Sequence, residues 1–148
     1  TTVNDLVTIY ELFKAFGDSH GMINEFKLIG SLEDLQNIEV SHRGMYVNLD
    51  SANVSRSGNN PVYDVTFNVI VIDKVPLYDE LALMNSNQEN LFVMGQLQDY
   101  FGQNLLGEER FDEVNLQGFS ADDYNITTAT GNCSFSIGRN PDNRSIDI

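Results

Sequence analysis

Residues 62–75 read VYDVTFNVIVIDKV, and this stretch decides the fold. Its first half alternates strictly. Tyr63, Val65, Phe67, Val69 and Val71 share one face, opposite Asp64, Thr66 and Asn68. That period of two marks a strand with one apolar and one polar face. The alternation then stops. Ile70 and Ile72 point away from the row of Val69 and Val71, so the far half of the strand is apolar on both faces. A strand buried on both faces is sandwiched, either by a helix of its own chain or by a neighbouring subunit. Ile70 and Ile72 are therefore the first candidates for a subunit interface.

The partner of this strand lies just upstream. In RGMYVNLD, residues 43–50, Met45, Val47 and Leu49 share a face. An antiparallel hairpin that sets Val47 beside Val69, and Leu49 beside Phe67, puts both apolar rows on one side. A slip of one residue would bury Asn48 and expose the row, so the register is well specified. SRSGNN, residues 55–60, has loop composition and forms the tip. Arg56, Ser57, Asn59 and Asn60 on that tip are candidates for reaching a neighbouring subunit or ring.

Outward from the hairpin, residues 3–16 read as a helix. Leu6, Ile9, Tyr10, Phe13 and Phe16 form one stripe. Thr2 and Asp5 can cap its start, and Gly17 can supply a left-handed stop. INEFKLIG is a candidate strand and SLEDLQN a short helical turn. VPLYDELALMN reads as an extended connection broken by Pro76. Ser86 to Glu89 has the form of a capping box. It would open a helix near residues 87–105 with a buried stripe of Leu91, Met94, Leu97, Phe101 and Leu105, widened by Phe92 and Val93. One short strand is expected around Val114 to Leu116. YNITTATGNCSFSIG is a second long strand whose apolar parity switches at Gly131, which predicts a bulge there. RNPDNRSIDI, from about residue 139, reads as a loosely held tail. The expectation is a single α+β domain over 1–148. Its mostly antiparallel sheet has four to five strands and a long central hairpin, packed by the two helices.

The chain has 148 residues, long enough to bury a core without disulfides or metals. No stretch approaches the roughly 18 apolar residues of a membrane-spanning helix. The first residues lack the basic start of a secretory signal and read as a mature N-terminus. The lone Cys133 suits a reducing, intracellular environment and a buried structural thiol. In that setting the four N-x-S/T triplets, at Asn53, Asn125, Asn132 and Asn143, read as chance.

The net charge is −14, from 22 acidic and 8 basic residues. The basic residues are scattered singly, which disfavours direct binding of nucleic acid. His20 and His42 have no second ligand at zinc spacing. The acidic pairs 108–109, 112–113 and 122–123 lack the fixed glycine and alternating ligands of a calcium loop. No nucleotide-binding or hydrolase motif occurs. No catalytic residue, cofactor or metal is expected.

The layout of NDLVTIYELFKAFGDSHGMINEFKLIGSLEDL, then RGMYVNLDSANV, then VYDVTFNVIVIDKV, then a capped helix resembles the tail-terminator (tail-completion or neck) proteins of long-tailed bacteriophages. The FNVIVIDKV strand, ending on Asp73 and Lys74, carries most of the likeness, which covers roughly residues 3–105. The resemblance implies a ring, usually hexameric, at the head-proximal end of the tail tube. Its partners would be its own copies, the tube, and the neck or connector proteins. Such a virion protein is made in the host cytoplasm. DNA would pass through the ring without being bound, repelled by a wall of about −84 for six copies. Three other readings stand beside it: a small acidic DNA mimic that inhibits a basic nucleic-acid-binding protein, another connector adaptor or tube component, and a metal-dependent enzyme using the acidic edge.

Overall fold

The computed structural model describes residues 5–31, 33, 43–58, 60–104, 109–120 and 123–138. Among the described residues two helices and six strands follow one another: α1 (Leu6–Ser19), β1 (Glu25–Leu28), β2 (Gly44–Ser57), β3 (Asn60–Pro76), α2 (Glu80–Asn104), β4 (Glu109–Phe111), β5 (Asn115–Ser120) and β6 (Tyr124–Gly138). The fold is α+β, as expected, with six strands where four to five were expected. The sheet runs β1-β2-β3-β6-β4, with β5 also paired to β6. Only β1 and β2 run parallel; the other pairs are antiparallel.

The central hairpin has the register its apolar rows demand. Val47 pairs with Val69 and Leu49 with Phe67. Its strands run further into SRSGNN than composition suggested. Ser57 pairs with Asn60, and Gly58, in the left-handed conformation at φ 65°, begins the turn. The irregularity in this sheet lies between Leu49 and Ser51 in β2, not at Gly131. β6 pairs with β3 without interruption from Val62–Gly138 to Pro76–Tyr124. At Gly131 the sheet lies close under α2: a Cβ there would lie 2.8 Å from Met94 Cε, the free end of a flexible side chain.

Both helices pack on one face of the sheet. Ile9, Phe13 and Phe16 of α1 meet Val93, Met94, Leu97 and Phe101 of α2 over Val65, Phe67, Val69, Val71, Ala129, Cys133 and Phe135. Aromatic edges organise this core. Phe13 stands 4.7 Å from Phe101 and 5.3 Å from Phe67, centroid to centroid, and Phe101 stands 5.0 Å from Phe135.

Three local expectations are corrected by packing. α1 does not stop at Gly17; it continues to Ser19. A Cβ at Gly17 would lie 2.6 Å from Phe26 Cβ, so this glycine lets the helix approach β1. Asp5 is the helix cap, its Oδ1 accepting from Thr8 N–H at 2.7 Å, and that bond holds its carboxyl below the usual value. α2 begins at Glu80 rather than near residue 87, with Asp79 accepting from Ala82 N–H at 3.0 Å. The proposed capping box is thus mid-helix. The buried stripe is Ser86, Asn90, Val93, Met94, Leu97 and Phe101, while Leu91 and Phe92 are 41% and 54% exposed. Residues 109–120 form two strands where one was expected. SLEDLQN lies outside the described residues except for Ser31 and Glu33, as do Leu105 and the tail from residue 139.

Candidate assembly surface

The far end of the sheet is inverted relative to its middle. On the helix side stand polar side chains. Arg43 is buried, and its guanidinium donates to Asp73 at 2.8 Å, to Glu89 at 2.7 Å and to Asn90 Oδ1 at 3.0 Å. Ser86 Oγ donates to Asp73 at 2.6 Å, and its oxygen lies 2.6 Å from Thr127 Oγ1. Asn90 Nδ2 donates to Thr127 at 3.1 Å. Each charge here has a partner, as burial requires. The cluster joins the start of β2 to α2, β3 and β6.

On the opposite side stand apolar side chains. Ile72 is buried with Ile29 and Tyr46, and Ile70 and Ile126 pack against them. Tyr46 donates to Glu25 Oε1 at 2.9 Å. No helix among the described residues covers this face. Ile70 and Ile72 thus rest largely on side chains of the same sheet and of Ile29 beyond β1. This inversion also explains the parity switch in β6: Thr127 faces α2 in the polar cluster while Ile126 joins the apolar one.

The six candidate interface residues do not converge. Arg56 is exposed at the hairpin tip, opposite Pro61, and Ser57 and Asn60 close the ladder. Asn59 lies outside the described residues. Ten strand residues separate Asn60 from Ile70, or roughly 33 Å. Tip and isoleucines are two places on the molecule.

Two surfaces escaped sequence reading. The first is a pair of strand edges. β1 covers β2 only at Gly44–Val47, so among the described residues the outer edge of β2 from Ser51 to Ser57 has no strand partner. On the other side of the sheet, β5 pairs only with β6. Both edges are free of carboxylates: residues 51–57 are Ser-Ala-Asn-Val-Ser-Arg-Ser, with Arg56 the one charge, and 115–120 are Asn-Leu-Gln-Gly-Phe-Ser. Natural edges are normally blunted with lysine, proline or inward charges. The missing signal was a run of uncharged residues in a strongly acidic chain.

The second is an open groove of about 490 Å³ between α2 and the β5–β6 ladder. Leu83, Met84, Leu116, Phe119 and Ile126 line it with Asn87 and Thr127.

His20 is the C-cap of α1, its ring accepting from Met22 N–H and bonded to Gln96. Cys133 is buried as read, and burial, then the charge of Asp112, raises its thiol pKa. Among the described residues no three His, Cys, Asp or Glu side chains gather as a metal site, and no helix is long and apolar enough to cross a membrane. No protein-family model matches the chain, and no curated protein is significantly similar to it.

Proposed function

We propose that this chain is a structural virion protein that assembles head-to-tail into a ring at the head-proximal end of a phage tail, where it caps the tube and meets the neck. The observation that carries the reading is the pair of carboxylate-free edges on opposite sides of one sheet. A copy carrying −14 repels its neighbour least where no acidic side chain stands, and both edges meet that condition. Two different surfaces at one interface make it heterologous, the kind that closes into rings. Edge pairing supplies backbone hydrogen bonds and leaves the acidic surface free.

The experiment combines light scattering and negative-stain imaging with cysteine cross-linking through a short bismaleimide. Val54→Cys and Gln117→Cys together should give a ladder of cross-linked species ending at the ring. Either single variant should give none. A monomer at high concentration, even with tail tubes present, removes the ring reading. Retention on an immobilised basic nucleic-acid-binding protein, without self-association, selects the acidic mimic instead. Oligomers that cross-link through either single variant would be isologous and would overturn the edge pairing alone.

A further inference from the structure

The buried stripe of α2 faces the sheet, yet the side of this helix turned to solvent is apolar too. Leu81 is 72% exposed and Met84 62%, with exposed Leu91 and Phe92 further along the same side. Leu81, Met84, Gln88, Leu91 and Gly95 follow one another at steps of three, four, three and four, the spacing of a seam between paired helices. All five are exposed, and exposed Asn85 and Phe92 widen the seam. A helix with apolar side chains on opposite sides is normally covered on both. Charge is missing here as well. Between Glu80 and Asp99 the helix carries one charged residue, Glu89, and Arg43 holds it. Two copies of −14 approach each other most easily where no free charge stands.

The order of residues along the seam says what fits. Gln88 is its centre. Turned about an axis through Gln88, the seam falls on itself: Leu81 meets Gly95, Met84 meets Phe92, Asn85 meets Leu91, and Gln88 meets Gln88. The most exposed of these leucines thus lies over a residue with no side chain. A Cβ at Gly95 would touch nothing within 4 Å, so the recess is open. Met84 is unbranched and can adapt to the Phe92 ring. Two facing Gln88 amides can each donate and accept. In this antiparallel arrangement Glu80 faces Gln96, and Asp99 passes beyond the start of the other helix. A parallel pair would set Glu80 beside Glu80 and Asp99 beside Asp99, and would align the two helix dipoles, which like charges oppose.

We propose that α2 of one copy packs antiparallel on α2 of a second copy through this seam, with a two-fold axis at Gln88. The contact runs along about 21 Å of helix. It is isologous, the same surface on both copies, and so differs in kind from the head-to-tail edges. This inference does not rest on the ring reading, because a single chain carries the whole seam.

The test uses the full chain. Leu81→Cys and Gly95→Cys are made as separate proteins, one bearing a mass tag, then mixed and oxidised. Cys133 is buried and stays out of the reaction. The mixture should give a disulfide between a tagged and an untagged chain. Either variant by itself should give none, because its two cysteines would lie about 21 Å apart along the pair, far beyond disulfide reach. Gln88→Glu added to both proteins should slow the mixed disulfide at least tenfold at low salt, and Gln88→Lys added to both should do the same. Glutamate on one and lysine on the other should restore it. Both residues are good helix formers at an exposed position, so the denaturation midpoints should stay in place. Absence of the mixed disulfide, disulfides within either single variant, or a rate that Gln88→Glu leaves unchanged would overturn the proposal. If the mixed disulfide fails while the Val54–Gln117 ladder forms, this contact falls and the ring reading stands. The converse result keeps this contact and removes the ring.

Discussion

Cys133 and Arg43 show how burial decides what a side chain does. Cys133 is 1% exposed beneath α2, and its thiol is held protonated by the apolar surroundings. In the unfolded chain the thiol ionises near pH 8.5. Above that pH the unfolded state gains a charge that the folded state refuses. Folding stability should therefore fall as pH rises past about 8.5, by up to about 1.4 kcal/mol per pH unit. Cys133→Ala should remove that part of the slope, read from denaturant melts between pH 7 and 10. A thiol reagent should label Cys133 only as fast as the protein opens. Arg43 was one scattered cation in the sequence; in the structure it holds two carboxylates and Asn90 at once. Arg43→Met leaves the mostly buried Asp73 without its ion pair, and should cost about 3 kcal/mol. Replacing Asp73 by Leu in the same chain should recover part of the loss, as a double-mutant cycle would show.

Among the elements, the hairpin was the most legible. Alternation in two neighbouring runs specifies one register, and only that register buries Val47, Val69 and Phe67 together. Its turn is a local requirement too. At φ 65°, Gly58→Ala meets the left-handed penalty and should destabilise by about 1 kcal/mol. The measurement is a shift of denaturation midpoint at unchanged slope. α2 was less legible, and for a physical reason. Ser86 and Asn90 look like solvent-facing or capping residues because nearby sequence contains no partner for them. Their partners, Asp73 of β3, Thr127 of β6 and Arg43 just before β2, come from three distant parts of the chain. The helix start was missed because Asp79 caps it only after Tyr78 has taken an uncommon backbone conformation. Similarly, Gly17 looks like a helix stop and Gly131 like a bulge, yet each lies against a side chain from another element.

At the scale of the whole molecule, charge governs association. Copies of −14 repel over the Debye length, which shortens from about 30 Å at 0.01 M salt to about 8 Å at 0.15 M. Self-association through the carboxylate-free edges should therefore strengthen as salt rises over that range, by about tenfold or more in dissociation constant, measured by sedimentation or light scattering. A weakening with salt would point to ion pairs across the interface and count against the carboxylate-free edges.

The amino-acid sequence alone determined the α+β class, the hairpin and its register, the first helix, the lone buried thiol and the acidic balance. Each follows from period, composition or the conformational freedom of one residue, all properties of neighbouring positions. Only the tertiary structure decided where the apolar and polar rows exchange sides, what Ile70 and Ile72 lie against, and which edges stay open. The stretch VYDVTFNVIVIDKV loses its polar face because Tyr46 and Ile29 pack on that side, while Asp73 turns to Arg43 beneath α2. Those contacts join residues far apart in the chain, and no local pattern encodes them.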